Sequence, residues 1–190
     1  KTAVIKDGNC RLWDKTSDAV LHYLGSGAAN ESGWVDLTQA RRWNDNRAKI
    51  ITWISLHDHT FNRRAVFETG EKLIIRVGYK VQEPMSAYCQ INVLNRIGDR
   101  LMTLHNSHSN TALQIDGEGY MQCVIPELRL VEGEFDLMIE FGRQSPRCEW
   151  IDCIPNAVKL KVTLGDYLGG SELKKGQGII AQRTDWSVSK

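Results

Sequence analysis

From Thr69 onward the chain alternates. Leu73, Ile75, Val77, Tyr79 and Val81 occupy every second position of one stretch, and Ile74, Arg76, Gly78 and Lys80 fill the positions between them. A period of two, with charge on the opposite face, marks a strand with one side in a core and the other toward water. This strand is predicted over 71–81. Comparable patterns predict strands over 48–57, 87–95, 100–104, 119–125, 134–142, 156–164 and 178–183. Turn signals separate them, among them Thr69-Gly70, Glu83-Pro84, Ile97-Gly98-Asp99, Asp116-Gly117 and Glu132-Gly133. No helical period of similar strength interrupts the series. The expectation is an all-β fold, an immunoglobulin-like antiparallel β-sandwich of two sheets. Its inward positions include Cys89, Ile91 and Val93; Met121, Cys123 and Ile125; Phe135, Leu137, Ile139 and Phe141; and Val158, Leu160, Val162 and Leu164.

The first 47 residues read differently. Val4–Trp13 predicts a short hairpin turning at or near Asp7-Gly8. Thr16, Ser17 or Asp18 can cap a short helix carrying Val20, Leu21, Tyr23 and Leu24. Gly25–Asn30 reads as a linker, and 31–47 has no clean period and is expected to be irregular. The division expected is therefore a hairpin–helix tail plus linker over 1–47, and a sandwich over 48–190. The chain starts at Lys1 without a methionine, which suggests a fragment of something longer.

With 190 residues there is room for one sandwich and extra terminal segments. The formal net charge of +1 argues against the broad basic field of a nucleic-acid binder, and no nucleic-acid partner is expected. Five cysteines, Cys10, Cys89, Cys123, Cys148 and Cys153, are too few and too uneven for a disulfide framework. Reduced thiols and a cytoplasmic setting are favoured, although Cys148 and Cys153 flank Trp150 closely enough to leave one bridge open. No apolar run approaches the ~20 residues that span a bilayer.

Catalytic motifs are absent. There is no Gly-x-Ser-x-Gly elbow and no phosphate-binding Gly-x-x-x-x-Gly-Lys-Ser/Thr loop. His57 and His59 share a strand face and could begin a metal site, but no third ligand stands at suitable spacing, so a polar strand end is the simpler reading. His105 and His108 fall in a polar run that reads as a solvated loop. The expectation is a protein that is not an enzyme, with no cofactor and no metal.

Binding has better support. Sugars are held by aromatic rings against their C–H faces and by amide, carboxylate or guanidinium groups on their hydroxyls. Tyr88, Gln90 and Asn92 are outward on one predicted strand, Asp136, Met138 and Glu140 on a second, and Lys159, Lys161 and Thr163 on a third. If these strands are neighbours, one polar patch results. Arg76, Lys80, Lys159 and Lys161 could meet an anionic group; Trp53 and Trp150 are further aromatic candidates, though packing is the commoner use of such residues. The candidate carbohydrate-binding set is Tyr88, Gln90, Asn92, Arg76, Lys80, Met138, Glu140, Lys159 and Lys161.

The ordered series Phe67-x-Thr69-Gly70-Glu71, Ile91-Asn92-Val93-Leu94-Asn95 with Gly98 and Leu101, Ile125-Pro126-x-Leu128-x-Leu130 with Gly133 and Phe135, and Asn156-Ala157 resembles the C-terminal domain of Wzt proteins. These are the ATP-binding subunits of ABC transporters that export O-antigen polysaccharide. The resemblance covers about 48–186, and the hairpin and short helix before it look like the tail of the ATPase domain. It implies a non-catalytic module that binds the finished, often capped, non-reducing end of a lipid-linked O-polysaccharide before export. It also implies a homodimer, contact with the transporter's membrane subunit through an ATPase domain not contained in this chain, and a place at the inner face of the bacterial inner membrane. No binding residue transfers from the family, because the shared motifs are turns and core positions. The other reading is a dimerisation or protein-interaction sandwich that recognises no glycan.

Overall fold

The structure is a computed structural model that describes residues 2–6, 9–14, 32–43, 48–109, 113–143, 149–169, 178–184 and 186–188. Strands β1 (Thr2–Lys6) and β2 (Asn9–Trp13) pair antiparallel as the expected hairpin. The turn residues Asp7 and Gly8 and the helix expected at 16–24 lie outside the described residues.

The body of the chain is a two-sheet β-sandwich. One sheet has four strands in the order β10 (Glu118–Ile125), β6 (Leu73–Lys80), β4 (Ile51–His57) and β3 (Trp34–Asp36). The other has six. Its path runs β5 (Val66–Glu68), β12 (Glu149–Thr163), β11 (Gly133–Arg143), β7 (Met85–Leu94) and β8 (Arg100–His105), and β9 (Leu113–Ile115) also pairs with β7. The pairs are antiparallel apart from β5 with β12, which is parallel. Asn106–Ser109 form one 3-10 turn.

The alternation explains the core. Leu73, Ile75 and Val77 from β6 meet Ile91 and Val93 from β7, Leu137, Ile139 and Phe141 from β11, and Leu160 and Val162 from β12 in one buried cluster. Of the inward positions expected from the sequence, Tyr79, Val81, Cys123 and Leu164 are only half-buried and the others are buried.

Three departures have physical causes. Residues 34–43, expected to be irregular, supply the edge strand β3 and then a buried ion pair. Arg42 donates Nε to Asp152 Oδ1 (3.2 Å) and its other nitrogens to the carbonyls of Leu37, Ala40 and Ile51. Asp152 Oδ2 accepts the amides of Ile50 and Ile51 at 2.9 and 2.8 Å. Second, β12 starts at Glu149 rather than near 156: its first half carries an inward carboxylate at Asp152, opposite Phe141, and a register shift between Leu137 and Ile139 interrupts the pairing before Val158. Third, the strand expected over 178–183 reduces to a bridge between Leu130 and Ile180, flanked by Val131 N–H to the Ile179 carbonyl and Ala181 N–H to the Arg129 carbonyl.

The Thr69-Gly70-Glu71 turn is structural. Thr69 Oγ1 donates to the Leu130 carbonyl (2.8 Å), while the Glu71 carboxylate accepts from the Glu68 amide and from Arg64 Nη2. It ties the start of β6 to the approach of β11.

Candidate functional site

The conditional placement of β7, β11 and β12 is met: they are consecutive in the six-stranded sheet. Tyr88, Gln90 and Asn92 therefore share its outer face with Met138, Glu140, Lys159 and Lys161. Gln90 stands directly opposite Glu140 on β11 and opposite His105 on β8, and Asn92 lies between Met138 and Thr103.

At the centre is a network of side chains bonded to one another. Glu140 Oε2 accepts Gln90 Nε2 (2.5 Å) and Asn92 Nδ2 (2.7 Å), with Arg100 Nη2 at 3.6 Å. Asn92 Oδ1 accepts Thr103 Oγ1 (3.0 Å) and Gln90 Nε2 (3.2 Å). Although this face points away from the core, Asn92 is 0% and Glu140 7% exposed. Such burial is tolerable because each group has a partner, and it locks their rotamers. Two acceptors remain open among the described residues. Neither Glu140 Oε1 nor the Gln90 side-chain carbonyl is engaged in a hydrogen bond.

Aromatic rings border this network. Tyr88 and His105 lie 5.4 Å apart between centroids, His105 and His108 5.5 Å, and His105 and Trp150 6.0 Å in an edge-on arrangement. Tyr88 and Trp150 both stand opposite Gly142. A Cβ there would come within 2.8 Å of the Glu149 carbonyl and 3.1 Å of the Trp150 ring. Glycine at 142 thus lets the indole settle against the sheet.

His105 is the residue that sequence reasoning missed. It was expected in a solvated loop, but it ends β8 and sits among the rings. The Ser107 amide donates to its Nδ1 (3.1 Å), so the neutral ring carries its proton on Nε2 and presents a donor there. Burial, and then the nearby His108, hold its pKa below the usual histidine value, with Glu140 opposing. The pairing of His105 with Gln90 could not be read from sequence, because only the register of β7 with β8 reveals it.

The remaining candidates are elsewhere. Lys161 and Lys159 stand opposite Glu134 and Asp136 on the same face. Asp136 and Glu140 are four positions apart on β11, about 13 Å along a strand. Burial raises the Asp136 pKa, and Lys159 pulls it back. Arg76 and Lys80 are on the outer face of the four-stranded sheet, so one site cannot use them together with Gln90 and Glu140. Trp53 is there too, opposite Gly78.

Between the sheets, a cavity of about 370 Å³ opens beside β8 and β10, with Val77, Cys89, Ile91, Leu104, Met121 and Cys123 in its wall. Burial pushes the Cys89 thiol up to about 12 and raises Cys123 as well, so both stay protonated and unreactive. His57 bonds Ser55 Oγ (2.8 Å) and the Phe61 carbonyl (3.0 Å), a structural use. Among the described residues no group of three or more metal-ligating side chains comes together, and no helix is long and apolar enough to cross a membrane.

A family model described as the Wzt C-terminal domain matches residues 39–180. The crystal structure of the C-terminal domain of wzt is similar over 86% of this chain and 98% of its own, with a TM-score of 0.63 and 12% identity. At that identity the likeness is one of fold. The CARDB domain of a Pyrococcus furiosus protein, crystallised with di-metal ions, covers 62% of this chain and 97% of its own at 8% identity and a TM-score of 0.34, too low to carry an argument. No curated protein matches the chain.

Proposed function

The chain belongs to the Wzt C-terminal domain family, which is linked to O-antigen export by ABC transporters, and on that premise we propose that it binds the non-reducing terminus of a lipid-linked O-polysaccharide without catalysing a reaction. The observation that carries this reading is the outer face of the six-stranded sheet. There a rigid Gln90–Asn92–Glu140–Thr103 network with open acceptors lies beside Tyr88, His105 and Trp150.

Each part matches a part of a sugar. The Tyr88 and Trp150 rings offer apolar faces to pyranose C–H groups. Glu140 Oε1 and the Gln90 carbonyl accept from hydroxyls, and His105 Nε2–H donates to a ring or hydroxyl oxygen. The acceptors are already fixed by their neighbours, so little side-chain entropy is lost on binding. A terminus that leaves a buried acceptor unpaired is disfavoured by about 1–3 kcal/mol, which is enough to separate one chain end from another. In this reading the domain acts as a homodimer beside the transporter's ATPase domain and membrane subunit, on the cytoplasmic side of the membrane, and selects finished chains.

The test is titration of isotope-labelled protein with capped and uncapped glycan fragments, followed by amide chemical shifts. Shifts centred on Tyr88–Asn92, Thr103–His105 and Glu140, stronger for the capped fragment, are expected. Equal affinity for both fragments removes terminus reading, and no response on this face leaves a dimerisation or interaction sandwich as the function.

A further inference from the structure

The outer face of the four-stranded sheet carries a second constellation, in which a guanidinium is held rigid but not neutralised. Arg76, central on β6, donates Nε to Gln122 Oε1 on β10 (2.9 Å). Its guanidinium carbon lies 4.9 Å from the ring centroid of Tyr120 and 4.9 Å from that of Phe61. Arg76 has no carboxylate partner among the described residues, and its two terminal nitrogens make no hydrogen bond there. Lys80, on the same strand, pairs with Glu118 (3.4 Å), and Asp58 lies 3.7 Å from Arg64.

The rings are placed with some effort. Phe61 has φ of 64°, the left-handed region, and among the described residues it is the one non-glycine residue there. Asp58 holds the loop in that shape by accepting the Thr60 and Asn62 amides on Oδ1, and the His57 ring meets the Phe61 carbonyl. Phe61 and Tyr120 are each 52% exposed. Trp53 leans on Tyr120 at 6.1 Å and lies across Gly78, where a Cβ would stand 2.2 Å from its Nε1.

With Nε taken by Gln122 and two ring centroids 4.9 Å from its carbon, the Arg76 guanidinium keeps its Nη1–Nη2 edge without a hydrogen bond among the described residues. That edge presents two parallel N–H donors, the fork that matches a planar oxyanion. The exposed rings beside it suit the C–H face of a pyranose. We propose that this face is a second saccharide site, in which Arg76 takes the carboxylate of an acidic sugar while Tyr120 and Phe61 hold its ring. The proposal rests on the glycan reading only for the origin of the sugar, since the site shares no residue with the network around Glu140.

The experiment titrates the labelled protein with methyl glucuronoside, methyl glucoside, inorganic phosphate and a tetraglutamate peptide. Methyl glucuronoside is expected to shift the amides of Ile75–Val77 and Tyr120–Gln122. The neutral glucoside should bind at least tenfold more weakly. Arg76→Gln should abolish the response, and Arg76→Lys should lose most of it, because charge without the fork is not enough. Both variants keep the rest of the amide spectrum as a check on folding, and Glu140→Gln should leave this titration unchanged. Equal shifts from the glucoside, survival of binding in Arg76→Gln, or shifts confined to Tyr88–Asn92 overturn the proposal. Phosphate acting at the same concentration as the glucuronoside, or the peptide acting at a lower one, overturns its saccharide part by showing a bare oxyanion site or a protein partner. Loss of glycan binding at Glu140 with this site intact would defeat the first reading alone.

Discussion

Two buried polar clusters in this sandwich look alike in composition and differ in valence. Around Asp152 every strong donor and acceptor is used: both carboxylate oxygens are bonded, and Arg42 gives all three nitrogens to oxygen partners. Around Glu140 one oxygen takes two amides and the other takes none. The first cluster points inward and joins residues 37–43 to β4 and β12. The second points outward beside aromatic rings. A saturated polar cluster can only hold the chain together, whereas one with spare acceptors can also receive a ligand. Burial alone does not separate them, since Asp152 and Asn92 are equally inaccessible.

Substitution at each centre should therefore have opposite signatures, and the largest effect is at Asp152. Asp152→Ala leaves the Arg42 guanidinium and two backbone amides buried without their acceptor, a loss of about 3–5 kcal/mol. Chemical denaturation should show that fall in stability, while glycan affinity per folded molecule stays constant. A change below about 1 kcal/mol would mean that the cluster does not bear on the fold.

Glu140→Gln should do the reverse. The amide oxygen can still accept Gln90 and Asn92, so stability should change little. The position that offered an acceptor now offers a donor, and a hydrogen bond to a charged group is worth about 1.5–3 kcal/mol. Calorimetric titration should show affinity falling roughly ten- to hundredfold. Unchanged affinity together with a large loss of stability would place Glu140 beside Asp152 as a structural residue. Trp150→Ala should have a smaller effect, about 0.5–1.5 kcal/mol of binding, if the indole is a stacking surface. The control is Trp34→Ala, an exposed indole on β3 of the other sheet, which should leave affinity as it was.

Much of the sandwich was legible because alternation is a strong signal when one side of a strand is buried. The run Leu73–Lys80 shows its core side directly. β3, β5 and β9 have three residues each, too few for a period to form. The first half of β12 was hidden by an inward carboxylate at Asp152 and by the irregular register beyond Ile154. Candidate site residues were legible only in part, for a geometric reason. Alternation tells inside from outside, but a two-sheet body has two outsides, so Arg76 and Gln90 looked equivalent and stand on opposite sheets. His105 was lost for the converse reason. Its neighbours Asn106, Ser107 and Ser109 are polar, and only pairing with Gln90 shows it to be the end of a strand.

The smallest expected effect is one of pH, and it bears on the open cluster. Burial and His108 lower the His105 pKa, so the folded domain holds the ring neutral where the unfolded chain would protonate it. The unfolded state therefore binds the extra proton first. Stability from this group is complete above the ordinary histidine value near 6.5 and falls as pH drops from there through the lowered folded value. Protonation would also put a hydrogen on Nδ1, which now accepts the Ser107 amide, and bring a cation against His108. Glu140 acts in the other direction, which is why the effect should be modest. Melting temperature and glycan affinity measured from pH 7.5 to pH 5 should decline together, and His105→Gln should flatten both curves. Affinity that falls with pH in the variant as steeply as in the native protein would show that the proton is taken up elsewhere and that His105 Nε2–H is not the donor to the sugar.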